Sequence, residues 1–169
     1  MANCPQTLNG ITLDCTTSQG GIKKVWIADW GAVKATATGD KISAIDKIAE
    51  FKPYEFRRGT SSMNSTLTAD ETTGVNYVTT ELSLVFTKLE TAKRVEMSAL
   101  SVGQLAVIVL DSNGKYWYLG DEDYVSASAG GAETGTAKGD RNAYTLTLKT
   151  ESATYPYEVE ELAASGLEN

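Results

Sequence analysis

The chain predicts a mainly β (α+β) fold: two packed antiparallel sheets, a sandwich or barrel, with one flanking helix. Three observations carry this. Apolar residues recur in short runs of strand length, several with strict alternation. Thr is the commonest residue, and Val, Ile, Tyr and Trp fill the runs, as pleated surfaces favour. Only one stretch has strong helical periodicity. At 169 residues the chain fits one domain, able to bury roughly 70% of its unfolded surface. Residues 1–160 read as that domain and 161–169 as an acidic tail that frays.

The first strand follows Gly20-Gly21, where Ile22 to Trp30 clusters apolar residues as in a mostly buried strand. Lys41 to Ile48 has apolar positions three apart, which suits a helix. The Gly39-Asp40 start favours a strand, and strand is the reading taken. Phe51 to Arg58 reads as a short strand whose Pro53 belongs at an edge or bulge. The polar stretch from Gly59 to Gly74 is too weakly apolar to pack a core. It is either a loop or a long hairpin arm that orders on a neighbouring subunit. The candidate contact residues of that arm are Gly59, Thr60, Ser61, Ser62, Met63, Asn64, Thr66 and Thr68. From Tyr77 to Phe86 the alternation is clear, with Val78, Thr80, Leu82, Leu84 and Phe86 sharing one face.

The helix is expected over 88–102. Thr87-Lys88-Leu89-Glu90 has the form of a capping box, with Thr87 as N-cap and Glu90 reaching back. Leu89, Ala92, Val95, Ala99 and Val102 form a stripe expected to face the core, and Gly103 is placed as a left-handed C-terminal residue. A hairpin follows, with Leu105–Leu110 joined to Lys115–Leu119 through Asp111-Ser112-Asn113-Gly114. Asn113 and Gly114 tolerate the positive φ of such turns. The first of these strands is apolar on both faces and should be central. A Gly-rich polar stretch after Gly120 leads to a last alternating strand, Ala143 to Lys149.

Several chemistries are absent from the pattern. The chain has no histidine, which removes Ser-His-Asp and Cys-His nucleophilic sites and His-ligated zinc. It reads as a non-enzyme with no cofactor and no metal. Asp111 to Glu122 has calcium-loop length, but Lys115 and Tyr116 stand where a ligand and an obligatory Gly are needed. Asp121, Glu122, Asp123 and Asp140 read as solvated charges rather than a cation site. No phosphate-binding Gly motif occurs. A net charge of −7 speaks against gripping nucleic acid. The longest apolar run, Leu105–Leu110, is far short of the ~20 residues of a membrane span. Met1 to Gln6 lacks the basic and apolar regions of a secretory leader, so folding in a cytoplasm is expected. Cys4 and Cys15 read as free thiols, with a bridge between them the alternative.

The last third has a recognisable order. A capped helix and a central strand lead into Asp111-Ser112-Asn113-Gly114-Lys115-Tyr116, then Tyr118-Leu119-Gly120. A polar loop with Thr134-Gly135 precedes Asp140-Arg141-Asn142-Ala143-Tyr144 and Glu151 ahead of Pro156. This resembles virion structural proteins of tailed bacteriophages of gut bacteria, and among them tail tube (major tail) proteins. Gly10 to Cys15 with Gly20-Gly21-Ile22-Lys23 is similar to the start of such proteins. The pattern departs at Ala143, where a Gly is expected.

The resemblance implies a self-assembling subunit. Six copies close into a ring whose inner strands join as one barrel, rings stack into a tube, and a long hairpin reaches the next ring. The partners so implied are the chain itself, other virion proteins, and DNA that passes without specific binding. The location is the virion, assembled in a host cytoplasm. Acidic residues such as Asp29, Asp46, Glu55 and Glu81 would then face the bore and repel the polyanion. The alternatives are an auxiliary capsid, neck or connector protein, an injection-system tube, or a monomeric β-sandwich binding module using Trp26, Trp30 or Trp117.

Overall fold

The computed structural model describes residues 6–168. Cys4 lies outside them, so a Cys4–Cys15 pairing does too; Cys15 is an exposed thiol. The strands in chain order are β1 (Ile22–Asp29), β2 (Lys34–Thr38), β3 (Lys41–Asp46), β4 (Lys52–Tyr54), β5 (Ser62–Asp70) and β6 (Val75–Thr87). After helix α1 (Thr91–Val102) come β7 (Leu105–Asp111), β8 (Tyr116–Leu119), β9 (Ser126–Glu133), β10 (Ala143–Ser152) and β11 (Tyr157–Val159). A short helix α2 (Glu161–Ala164) ends in a 3-10 turn, Ser165–Glu168. The fold is mainly β, as the sequence predicts, with a large sheet ordered β2-β3-β11-β8-β7-β1-β4 and a small one ordered β5-β6-β10-β9.

Alternation explains the main core. On β6, Val78, Thr80, Leu82, Leu84 and Phe86 are all buried, facing the large sheet. Val25, Ile27, Leu105, Val107, Val109 and Leu119 meet them from the large sheet, and Leu146 and Leu148 join from β10. The large sheet is buried on its other face as well, through Trp26, Ala28, Ala106, Ile108 and Tyr118. That two-sided burial is why β7 reads as a continuous apolar run and lies inside the sheet. The β7–β8 hairpin closes as expected, with Asp111 N donating to Lys115 O at 2.9 Å and Gly114 at φ 83°.

The C-terminal segment does not fray. β11 adds to the large sheet between β3 and β8, and Val159, Ala164 and Leu167 are buried against its far face. The approach is close. A Cβ on Gly166 would lie 2.6 Å from Ile48 Cγ2, in the 3-10 turn Ile48–Glu50. Acidic residues alternating with apolar ones conceal this anchoring in the sequence.

Helix α1 departs from expectation in three ways. Thr87 is the last residue of β6, and the N-cap is Glu90 with no side-chain capping bond. Glu90 instead pairs with Lys93 at 3.0 Å. Gly103 has φ −79°, so it is not left-handed; its lack of a Cβ lets Leu105 Cδ2 approach, which would stand 3.0 Å from one. The stripe assigned to the core faces outward, with Val95 56% and Val102 85% exposed. The inward residues are Leu100, which is buried, and Met97. Tyr54 on β4 donates to Glu96 Oε2 at 2.8 Å, tying the helix to the large sheet.

Candidate assembly interface

The two sheets end differently at their borders. The large sheet is bounded by β4, three residues including Lys52 and Pro53, and by β2, five residues beginning at Lys34. Short strands, lysine and proline are the usual means of blunting an edge. The edge strands of the small sheet are long and carry no lysine or proline, though β9 has a bulge near Ser128. These edges are β5, nine residues reading SMNSTLTAD, and β9, eight residues reading SASAGGAE. Each carries one charge, at its final residue, and no Lys or Pro. Each presents a row of backbone donors and acceptors about 26–31 Å long.

β9, like β2, β11 and α2, is an element that the sequence did not show, since its Ala, Ser and Gly residues carry no apolar or β-branched signal. Its backbone sits close to β10: a Cβ on Gly130 would meet Thr145 O at 3.1 Å. Pairing of Ala143↔Glu133 through Lys149↔Ser126 holds it in place, with a bulge near Ser128.

The predicted hairpin arm is β5 with β6, and its residues fall into three groups. Gly59, Thr60 and Ser61 form a turn rather than part of a protrusion. Thr60 Oγ1 donates to Arg57 O at 2.6 Å, and buried Ser61 Oγ accepts from Val85 N at 3.2 Å. Ser62, Met63, Asn64 and Thr66 pair with Ser83, Leu82, Glu81 and Thr79 in the body of the sheet. Thr68 belongs to the protruding part. β10 stops at Ser152↔Val78, while β5 and β6 stay paired to Asp70↔Val75, so residues 68–77 form a two-stranded ribbon beyond the sheet. At its tip Asp70 Oδ1 accepts from Thr72 N at 2.8 Å and Thr73 N at 3.4 Å, which hold its carboxyl below the usual range. Gly74 N donates to Asp70 O at 2.9 Å with Gly74 at φ 71°.

Because Val85 N–H is buried against Ser61, Ser61→Ala should cost about 1–3 kcal/mol in urea unfolding. A loss below ~0.5 kcal/mol would mean that the amide finds another partner.

The outward face of the small sheet is rich in hydroxyls. Register places Ser62, Asn64, Thr66 and Thr68 beside Ser83, Glu81, Thr79 and Tyr77. Thr145, Thr147, Lys149 and Glu151 continue the face on β10. Lys149 pairs with Glu151 at 3.3 Å, and Glu81 stands across from Lys149. Of the four acidic residues expected on one bore-lining surface, Glu81 alone lies on this sheet. Asp29 ends β1 and accepts from Gly31 N at 2.9 Å, Asp46 ends β3, and Glu55 pairs with Lys24 at 3.7 Å.

Most of the other residues singled out by chemistry have structural roles. Trp30 Nε1 donates to Gly120 O at 2.8 Å, Trp117 Nε1 donates to Asp111 Oδ2 at 2.9 Å, and Trp26 is buried. Glu122 Oε2 accepts from Ala153 N, and Asp140 Oδ2 accepts from Thr136 N and Ala137 N. Among the described residues no three Asp, Glu or Cys side chains converge as a metal site. No described helix is long and apolar enough to cross a membrane.

Burial raises the Tyr54 phenol strongly, aided by Glu96, and burial pushes Tyr118 up to about 12. Both phenols stay neutral in the fold where the unfolded chain ionises near 10. Their contribution is complete below pH ~10 and declines as pH rises toward 12. Urea midpoints should therefore hold from pH 8 to 9.5 and fall above 10. A flat profile to pH 11.5 would contradict this.

No protein-family model matches the chain, and neither does any curated protein or solved structure.

Proposed function

We propose that this chain is a self-assembling structural subunit of tube type, whose small sheet joins neighbour to neighbour through β9 and β5. The observation that carries the reading is the pair of long edges on one sheet, each with a single terminal charge and no lysine or proline. Strand parity supports it. The four strands alternate in direction, so β5 and β9 are antiparallel. A neighbour related by rotation about a common axis brings its β5 antiparallel to the first copy's β9. The alternation then continues without a break around a closed barrel. Such a contact is heterologous, and closure removes every edge of that sheet.

The resemblance to tail tube proteins gives this ring six members, stacked copies, virion surroundings and DNA as cargo. The protruding ribbon at residues 68–77 is suited to reach a copy in the next layer. The outward hydroxyl face, with Glu81 and Glu151 against Lys149, would line the bore and offer a polyanion no cationic grip. A density map of an assembled ring with a strongly basic bore would contradict that assignment.

Light scattering after size exclusion, with negative-stain microscopy, tests the reading. Rings or tubes that grow with protein concentration are the expected result. A monomer at high concentration, or a dimer that grows no further, would overturn it.

A further inference from the structure

The protruding ribbon, residues 68–77, carries Asp70 and Glu71 at its tip and no Lys or Arg. Both acids are exposed, and neither joins an ion pair among the described residues. Val75, which stands across from Asp70, is 45% exposed. A groove of about 700 Å³ opens near the other end of β5, lined by Ile22, Lys23, Phe56, Arg58, Gly59 and Ser112 among others. No acidic side chain lines it. Lys23 and Arg58 are exposed, and neither joins an ion pair among the described residues. Two neighbouring cations left unpaired in a chain of net charge −7 suit an anionic partner.

We infer that the ribbon tip of one copy docks in the Lys23–Arg58 groove of a second copy, Asp70 and Glu71 facing the cations and Val75 meeting Phe56. The copy's own tip is out of reach. Ser61, two residues past Gly59, accepts from Val85 N, and Val75 lies ten residues back along β6. β6 pairs without a register shift to β5 and β10 over that length, so it is a fixed spacer of ~34 Å. Gly59 to Ser61 recovers at most ~7 Å of it, leaving tip and groove about 20 Å or more apart in one chain. A second acidic loop, Asp121 to Asp123, is a poorer ligand because it lies against the body, where Glu122 Oε2 accepts from Ala153 N. Tip and groove at opposite ends of one hairpin make the contact heterologous and repeatable along the strand direction. It rests on the self-assembly proposed above and names where the ribbon lands, but it does not use the edges of β5 and β9.

Light scattering and negative-stain microscopy on the full chain test it with two variant sets. One alters the tip by Asp70→Asn and Glu71→Lys, the other alters the groove by Lys23→Glu and Arg58→Glu. Asn keeps the acceptor for Thr72 N and Thr73 N, and all four positions are exposed, so unfolding midpoints should match the parent. Each set alone turns attraction into repulsion and should raise the concentration needed for stacking about tenfold. The two sets combined should return it close to the parent value. Parent-like stacking in either set alone, or no recovery in the combination, would overturn the inference; if rings still form then, edge joining stands and this contact alone falls. Growth that follows the charges without closed rings would keep this contact and remove edge joining. A parent that stays monomeric overturns both.

Discussion

The quadruple variant Asn64→Lys, Thr66→Lys, Ala129→Lys, Gly131→Lys is expected to remain monomeric at concentrations where the parent chain assembles. All four positions are exposed, mid-strand and on the outward face of the two edges. Inside one copy they are separated by β6 and β10, so they do not meet. A joined sheet would set the β9 lysines against the neighbour's β5 lysines, at cross-strand or diagonal distance. Each like-charge pair costs about 0.2–1 kcal/mol, and the cost recurs at every interface of a ring. The monomer itself should melt within a few degrees of the parent. Replacing the β5 changes by Asn64→Glu and Thr66→Glu turns repulsion into attraction and should restore assembly. Assembly that survives four lysines would mean that copies meet elsewhere. Failure of the Glu–Lys version to recover would say the same.

Trp26→Ala is expected to have the largest effect on stability, about 3–5 kcal/mol in urea unfolding. Trp26 is 1% exposed at the centre of β1, between Tyr116 on one side and the layer formed by α2 and its following turn. A loss of that size removes much of the ~5–15 kcal/mol that holds a typical domain together. Trp26→Phe separates two contributions. The indole Nε1–H is buried with no hydrogen-bond partner among the described residues, and a stranded donor costs about 1–3 kcal/mol. Phe keeps most of the apolar volume and discards that donor, so its net cost should be about 1 kcal/mol or less. Equal losses for Ala and Phe would show that the indole makes a polar contact in solution. The same burial removes Trp26 as a sugar-stacking platform, which takes one support from the binding-module alternative.

What could be read from sequence follows from where side-chain chemistry signals backbone geometry. Asn113-Gly114 between apolar runs marks a turn because positive φ needs those residues, and Gly114 adopts it. Val78 through Phe86 shows its buried face because one side meets a core and the other meets solvent. Pro53 marks an edge because it cannot donate to a ladder, and β4 is the edge. β9 is illegible for the opposite reason. An edge strand of Ala, Ser and Gly leaves little side chain to record which face is buried. The register of α1 misleads because Ala92, Val95, Ala99 and Val102 form a more regular stripe than Met97 and Leu100, which enter the core. Regularity reports amphipathicity and does not say which surface covers it. The proposed interface is half legible: the β5–β6 ribbon is visible in its polarity, whereas the β9 edge emerges only from topology.

Amide hydrogen exchange, compared between dilute monomer and assembled protein, tests edge-to-edge joining most directly. Ser62–Asp70 and Ser126–Glu133 have one side unpaired in the isolated copy. In both strands the amides on the free side should slow by an order of magnitude or more on assembly, as ladder bonds form. The interior strands β6 and β10 should change little. Assembled particles in which those amides still exchange at the monomer rate, or in which protection arises on β2 and β4 instead, would contradict the account.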